Sequence, residues 1–367
     1  MVVDAGDFFG LYAGPQENLQ DEVMAAAWGA AGYDAVAPGE NELAADVPDV
    51  FALAARHNIP LVTVNVRPPA GAAAPPSYRL VARGGLTVGV VAFLEPGLAP
   101  RESRTDVADY KEALAAAVAE VAPRCDVVVC LAHVRDLDAA RAFVRSCPDD
   151  IDVVVAGHRG APAAAAENVR GRWLVYTRPW NRYVGVLRLT MERGIITAAE
   201  NEHVPLTKEM AEDPAAQALV AQYRARLREL VVSAGLFLKP AVEPASGGYF
   251  VGSARCASCH DAQAGQWRGT GHARAHDALV AAGRDADPAC IRCHVTGYGF
   301  KGGFSGAAET PELLGVGCEE CHGAGGVHAA DPSSKTSPIA EDGCRRCHQP
   351  ERSPAFDYRG YYDLVKH

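Results

Sequence analysis

Through the first 208 residues, short apolar runs alternate with stretches in which apolar positions recur every three or four residues. Val2-Val3 opens as a strand reaching a turn at Gly6-Asp7, and residues 18–31 read as a helix with Leu19, Val23, Ala26 and Ala27 on one face. A brief strand at Ala35-Val36-Ala37 precedes a helical stretch from Leu43 to His57, with Val47, Val50, Leu53 and Ala54 in a stripe. Pro60 to Val66 and Leu86 to Phe93 are β-branched and brief, as buried strands are. A helix over 109–122 leads to a strand from Asp126 to His133. A second helix, 136–146, leads to Asp152-Val-Val-Val-Ala-Gly-His158. Residues 172–206 read as antiparallel, in runs Trp173–Thr177, Tyr183–Thr190 and Ile195 onwards. This alternation predicts an α/β layered domain with a β-rich addition at its end.

The pattern then changes. Asp213-Pro214 is a helix start, with Asp as N-cap and Pro in the first turn, and Leu219, Tyr223, Leu227 and Leu230 form a stripe towards Ala234. Lys239 to Gly248 has the Pro, Gly and Ser character of a linker. The expected organisation is therefore an α/β domain over 1–208, a helix and linker over 209–250, and a second domain over 251–367.

Composition narrows the function. The chain is 49 % hydrophobic, and its net charge of −10 lacks the basic stripe that nucleic-acid binding needs, so no nucleic-acid partner is expected. No apolar run is long enough to span a membrane. The first residues do not read as a signal peptide. Three of the eleven cysteines precede residue 150 and eight follow residue 255, which separates two chemistries. Cys125 and Cys130 flank an extended run and are too far apart along it to form a disulfide.

The last 117 residues hold four motifs of one kind: Cys256-Ala-Ser-Cys259-His260, Cys290-Ile-Arg-Cys293-His294, Cys318-Glu-Glu-Cys321-His322 and Cys344-Arg-Arg-Cys347-His348. This is the pattern of covalent c-type haem attachment: two thioethers hold the vinyl groups and the adjacent histidine becomes the proximal iron ligand. Paired Cys-x-x-Cys units also build zinc knuckles, but zinc has no use for a histidine after every second cysteine. A disulfide framework fails on the same point.

Four haems are therefore expected, with His260, His294, His322 and His348 as proximal ligands. Four further histidines, His272, His276, His328 and His367, are candidate distal ligands. The domain has no methionine, so bis-histidine, low-potential haems are expected. At about 29 residues per haem, the porphyrins must themselves form the core, and the arginines are expected to neutralise propionates.

Two family resemblances follow from these residues. The strand ends of the first domain read Gly6-Asp7-Phe-Phe-Gly10, Gly39-Glu-Asn-Glu42, Ala132-His133 and Gly157-His158-Arg-Gly160. Over roughly residues 1–206 they resemble the metallophosphoesterase fold in its 5′-nucleotidase-like branch, whose two-metal site clamps a phosphoryl group and activates water. The resemblance places Asp7 on the bridging aspartate, His133 on the lone histidine and His158 on the first histidine of the last motif.

The departures are also specific. An Asp-x-His strand should precede Asp7. Glu40 stands in the place of an asparagine ligand, Asn41 in that of the catalytic histidine, and Gly160 in that of a second histidine. The expectation is a retained fold with its hydrolytic activity lost, and a vestigial divalent-metal site of Asp7, His133 and His158, with Glu40 as a substitute carboxylate.

Residues 251–367 resemble the tetrahaem cytochrome c-554 family, through the opening motif with Trp267 and His272-Ala, the run Gly317 to His328, and the tail Ser353-Pro-Ala-Phe-Asp-Tyr358. That resemblance implies electron transfer through stacked haems, sometimes with one five-coordinate iron. It also implies redox-protein partners, among them other multihaem cytochromes. Since haem is attached outside the cytoplasmic membrane, a periplasmic or extracellular location is expected, together with an N-terminus beyond the residues of this chain. The competing readings are a multihaem redox enzyme acting on a small nitrogen or sulfur compound, and a redox-linked phosphoesterase.

Overall fold

The computed structural model describes all residues except 11–14, 45–48, 104, 160–164, 179–181, 235–241, 246, 337–338 and 351, and the side chains of 232 and 234. The chain divides into two compact units, Met1–Val220 and Ala221–His367.

In the first unit the order is β1 (Val3–Asp4), α1 (Pro15–Ala31), β2 (Ala35–Val36), α2 (Val50–His57), β3 (Val66–Arg67), β4 (Tyr78–Arg83), β5 (Leu86–Leu94), β6 (Asp106–Val107) and α3 (Lys111–Val121). It continues with β7 (Val127–His133), α4 (Leu137–Ser146), β8 (Val153–Gly157), β9 (Glu167–Val169), β10 (Arg172–Tyr176), β11 (Tyr183–Glu192) and β12 (Ile195–Pro205). The main sheet has the order β4-β5-β7-β8-β10-β9. Its inner strands are parallel and its two edge strands, β4 and β9, antiparallel.

Period-two alternation sorts the inner strands onto two faces. Val91, Phe93, Val128, Cys130, Ala132 and Val154 pack against Leu114, Val118 and Val121 of α3 and Phe143 and Val144 of α4. On the opposite face Val90, Ala92, Val129, Leu131 and Val153 meet Ala5, Ala35 and Val62, with Leu187, Leu189 and Ile196 of the β11–β12 hairpin alongside. Both faces are covered, which explains why these strands read as continuous apolar runs. A further cluster joins α1 and α2 through Trp28, Phe51 and Leu53 to Phe8 and Phe9, with Trp28 stacked on Tyr33 at 4.3 Å.

Several expectations are corrected here. The helix expected from Leu43 begins at Val50, where the Asp49 carboxylate accepts from Phe51 N at 2.9 Å. Asn41–Leu43 is a separate 3₁₀ turn, and 45–48 lie outside the described residues. Pro60 to Val66 is not one strand, because the chain changes partner midway. Val62 N donates to Val36 O at 2.9 Å, but Val64 N donates to Ala92 O at 2.8 Å. β10 runs parallel to β8 rather than antiparallel throughout, with Trp173 opposite Val153.

β4 and β9 are among the strands that the pattern does not predict. Each ends at a two-residue turn with both φ angles positive, Gly84-Gly85 and Arg170-Gly171, and the β11–β12 hairpin uses Arg193-Gly194 in the same way. Such turns match the right-handed strand twist and place glycine second.

The second unit opens with the long helix α5 (Pro214–Ala234), which begins in the first unit, and continues with short helices: α6 (Ser253–Ala257), α7 (Asp261–Arg268), α8 (Ala275–Ala281), α9 (Pro288–Ile291) and α10 (Cys318–His322). α11 (Gly326–Ala330), α12 (Glu341–Arg345) and α13 (Tyr358–Val365) follow. Asp213 caps α5 as expected, accepting from Ala215 N and Ala216 N at 2.8 and 2.9 Å. Part of the expected linker is paired: Val242 N donates to Gly299 O and its carbonyl accepts from Lys301 N. Residues 235–241 and 246 of that stretch lie outside the described residues. The apolar core is small, with Leu279, Cys290, Ile291, Val295, Phe304 and Leu313 buried together.

The join between β5 and the preceding segment rests on Asn65, which is 2 % exposed. Its amide donates to Leu94 O and Ala108 O at 2.7 and 2.9 Å and accepts from Leu94 N at 3.1 Å. Asn65→Ala would leave these backbone groups buried without partners, at about 1–3 kcal/mol for each unsatisfied group. The expected outcome is a chemical-denaturation midpoint for the first unit well below that of the parent protein. An unchanged midpoint would refute this role.

Candidate functional site

Two sites emerge, one in each unit. In the first, Asp7, Glu40, His133 and His158 come from four chain segments that all end a parallel strand or directly follow one, the edge where open α/β sheets place chemistry. Each offers one ligand atom, and these atoms lie within 4.8 Å of one another. His133 is fully buried. Its Nδ1 meets Ala5 O at 2.6 Å, which turns Nε2 towards Glu40 Oε2 at 2.6 Å and Asp7 Oδ2 at 3.4 Å. His158 Nδ1 lies 2.8 Å from Glu40 Oε1 and 3.4 Å from Asp7 Oδ2.

The backbone is shaped to allow this convergence. Asp7 and His158 both hold positive φ, 66° and 98°, uncommon for non-glycine residues and concentrated at functional sites. Gly39 packs so closely that an added Cβ would lie 2.3 Å from Asp7 Oδ1.

Beneath the cluster, the buried Glu42 carboxylate accepts from Asp7 N at 3.1 Å, Phe9 N at 2.7 Å and Gly39 N at 2.7 Å. Burial and the neighbouring Asp7 push Glu42 up to about 8, with the amide donors acting in the opposite direction. Burial disfavours a charged His133, but hydrogen bonds to Asp7 and Glu40 outweigh it and raise the imidazole to about 10. Burial opposes ionisation of Asp7 too, and its bonds to both histidines hold it well below the usual carboxylate range. Asn41 is engaged elsewhere: its amide donates to Phe9 O at 3.3 Å. Gly160 lies outside the described residues.

In the second unit the first, second and fourth Cys-x-x-Cys-His motifs close into tight turns, and the third forms helix α10. His260 N and His348 N reach Cys256 O and Cys344 O at 3.0 and 2.9 Å, and the second cysteine of the second motif, Cys293, donates to Cys290 O at 3.1 Å. The motifs are neighbours of one another. The thiols of Cys256 and Cys318 adjoin, as do those of Cys293 and Cys347. Burial, and then the neighbouring Cys344 of the fourth motif, pushes the Cys321 thiol up to about 11.

The histidines are arranged in facing pairs. His260 faces His328 with ring centroids 6.0 Å apart, His348 faces His272 at 6.1 Å, and His322 faces His367 at 5.9 Å. Two imidazoles bound on opposite sides of one ion, each at about 2 Å through a ring nitrogen, have centroids about 6 Å apart.

Several Nδ1 atoms are already held: His328 by Ser334 O at 2.8 Å, His348 by Ser353 Oγ at 3.1 Å, His294 by Ala275 O at 2.7 Å. That leaves Nε2 as the ligating atom, the division of labour usual at metal-bound histidines. Burial, and then the facing His348, lowers the pKa of His272; burial lowers that of His348. Both therefore favour the neutral, ligating form. These residues fit c-type haem.

His276, read from sequence with the other distal candidates, is placed differently. It is buried, its Nε2 has no hydrogen-bond partner, and among the described residues it faces none of the motif histidines. Sequence reasoning missed Glu319, which sits inside the third motif and is 4 % exposed. Its carboxylate accepts from Val251 N, Gly252 N and Gly325 N at 2.8–3.1 Å and so ties the first motif's approach to the third. The available signal was a glutamate between two cysteines in a unit with little apolar core to bury it.

Comparison with known proteins agrees with this division. The family model for cytochrome c554 and c-prime matches residues 255–323. Cytochrome c-554 of Nitrosomonas europaea is 40 % identical over 111 residues, covering 26 % of this chain and 47 % of the relative, so the chain spans about half of that protein's length. A Thermus thermophilus sulfate thiohydrolase, SoxB, superposes with a TM-score of 0.54 at 18 % identity, over 62 % of this chain and 43 % of its own. A 5′-nucleotidase precursor, also from Thermus thermophilus, does so with 0.50 at 22 %, over 66 % and 51 %. The first unit thus has the α/β fold of the 5′-nucleotidase-like metallophosphoesterases, and the mostly helical second unit resembles the cytochrome c-554 family.

Proposed function

We propose that the chain is an electron-transfer protein. Its second unit would carry four c-type haems on the thioethers of Cys256/Cys259, Cys290/Cys293, Cys318/Cys321 and Cys344/Cys347, beside a phosphoesterase-like unit that does not hydrolyse phosphoesters. The observation that carries this reading is the set of three facing histidine pairs, each joining a motif histidine to one outside the motifs. His260 and His328, His348 and His272, and His322 and His367 would each supply the two axial ligands of one iron. When bound, such groups supply one-electron redox centres whose potentials are low with two imidazole ligands.

The residues around them set orientation and environment. Ser334 O holds His328 with its proton on Nδ1, Ser353 Oγ orients the His348 ring, and Phe356 stacks on His348 at 4.7 Å. Thiols of the second and fourth motifs adjoin, as do those of the third and first, and Arg346 of the fourth meets the Glu320 carboxylate of the third at 3.2 Å, which supports one connected series rather than isolated centres. Redox proteins are the expected partners and the periplasm or cell exterior the expected location, since haem attachment takes place there. No helix among the described residues is long and apolar enough to cross a membrane.

A second reading, a redox enzyme acting on a small nitrogen or sulfur compound, is favoured by the fourth motif histidine. His294 is anchored through Nδ1, but His276 does not face it in the way the other three pairs face. An iron held by His294 alone would keep one axial position open to a ligand.

Mass spectrometry of the mature protein should show four covalent haem additions, and Cys344→Ala with Cys347→Ala should lower the count to three. Fewer than four in the parent protein would sink the assignment. Carbon monoxide added to the dithionite-reduced protein should perturb one haem in four. No perturbation would mean that His276 or another group completes that iron, leaving electron transfer as the sole reading. Nucleotides and a bis-aryl phosphodiester, supplied with Mn²⁺, should show no turnover above background. Robust hydrolysis lost in His133→Ala would instead restore the phosphoesterase reading.

A further inference from the structure

Helices of a single turn do not hold their own place in a fold. α6 leads to His260 and α11 carries His328, yet the two imidazoles face each other with centroids 6.0 Å apart and planes 25° from parallel. Such an arrangement needs support from outside both helices, and the third motif supplies it.

Glu319 lies in α10, between the cysteines of the third motif, and is 4 % exposed. Its Oε1 accepts from Gly325 N at 2.8 Å and Val251 N at 3.0 Å. Its Oε2 accepts from Gly252 N at 2.8 Å and again from Val251 N at 3.1 Å. Gly252 is the N-cap of α6, one turn ahead of Cys256, and Gly325 is the N-cap of α11, one turn ahead of His328. One side chain therefore holds the start of each helix that delivers a histidine.

We propose that Glu319 is the positioning residue for the axial pair of the first motif's iron, fixing His328 opposite His260 from inside the third motif. The proposal rests on the reading of His260 and His328 as the two ligands of that iron.

The packing around this carboxyl group is close. Gly326 N donates to Tyr249 O at 2.8 Å, and a Cβ at position 326 would lie 2.6 Å from that oxygen, so α11 is seated directly on the chain that leads into α6. Gly252 takes a φ of 78°, a conformation that favours glycine. Cys318 N donates to Ser253 Oγ at 3.2 Å, a second tie between α10 and α6. The direct contact of Arg255 Nη2 with Ala329 O at 3.1 Å is exposed, where water competes, whereas the bonds of Glu319 to Gly252 and Gly325 are buried.

The donors also fix the kind of residue required. Three N–H groups converge, and a carboxylate accepts through both oxygens. Glutamine would turn an NH₂ towards Gly252 N–H or Gly325 N–H, donor against donor. Aspartate keeps both oxygens but is one methylene too short to span the same amides. Either change loosens α11, and losses of this outer kind typically weaken a metal–ligand bond by about 10–100-fold.

The haem-loaded full chain, reduced with dithionite, is titrated with carbon monoxide, which competes with His328 for that iron. His328→Ala identifies the haem, as one more that binds carbon monoxide than in the parent protein, with its own difference spectrum. In Glu319→Gln and Glu319→Asp the same haem should bind carbon monoxide on the order of 10-fold more tightly than in the parent, with the other haems unchanged. Aspartate retains the charge, so an effect shared by both variants reads on geometry. Mass spectrometry confirms the parent's haem count in each variant.

A parent-like response in both Glu319 variants would overturn the proposal, as would an effect confined to Glu319→Gln, which would trace to charge, or tighter binding spread over all haems, which marks general loosening. His328→Ala without an added responsive haem refutes the axial assignment itself. An added haem there, with both Glu319 variants parent-like, refutes the positioning role alone.

Discussion

Each unit depends on a buried carboxylate that gathers backbone N–H groups from distant parts of the chain. Glu42 binds the amides of Asp7, Phe9 and Gly39, and Glu319 those of Val251, Gly252 and Gly325. Amides are scarce donors in a protein interior, because most are committed to helices and ladders. A carboxyl group that collects several of them satisfies backbone donors that would otherwise be buried without partners, at a cost for each. In both units the glutamate is adjacent to the chemistry. Glu42 lies two residues from Glu40, and Glu319 lies between Cys318 and Cys321. The backbone it holds therefore carries the residues of the candidate sites.

The two units reach order by different means. The first buries both faces of a largely parallel sheet, and this gives a rigid edge on which Asp7, Glu40, His133 and His158 can converge despite two strained backbone positions. The second has six buried apolar side chains in its core cluster and many helices of four or five residues, too short to be stable alone. Its order rests on local turns, on Glu319, on the Trp267 indole donating to Val316 O at 2.8 Å, and on Thr296, whose hydroxyl donates to Gly315 O and accepts from Gly317 N. Such a frame holds facing histidines apart at a fixed spacing, which suits groups that themselves fill the interior.

In the loop Gly39 to Glu42 the backbone of the phosphoesterase-like fold and the side chains presented on it part ways. Gly39 and Glu42 keep the backbone and the buried anchor of the Gly-x-x-Glu loop, while Glu40 and Asn41 change what the loop presents. The fold survives because its determinants lie in the sheet and beneath the loop. The character of the site changes because one added carboxylate satisfies both histidines at once.

Much of this was legible in the sequence because it is local. Each Cys-x-x-Cys-His motif is complete within five residues, and strands such as Val127–His133 and helices such as Leu137–Ser146 follow from period and capping. The Gly84-Gly85, Arg170-Gly171 and Arg193-Gly194 turns were present to be read, although two of the strands they close are short edge strands without strong alternation.

Tertiary structure alone decided what depends on which distant segments meet. It set the partner change between Val62 and Val64, the parallel pairing of β10, the facing of His328 with His260 and of His367 with His322, and the separate placement of His276. It also brought Glu40 between His133 and His158. Periodicity specifies which face of an element is buried, but not which residue of another element lies opposite. That choice belongs to the closed fold, where every buried polar group must find a partner.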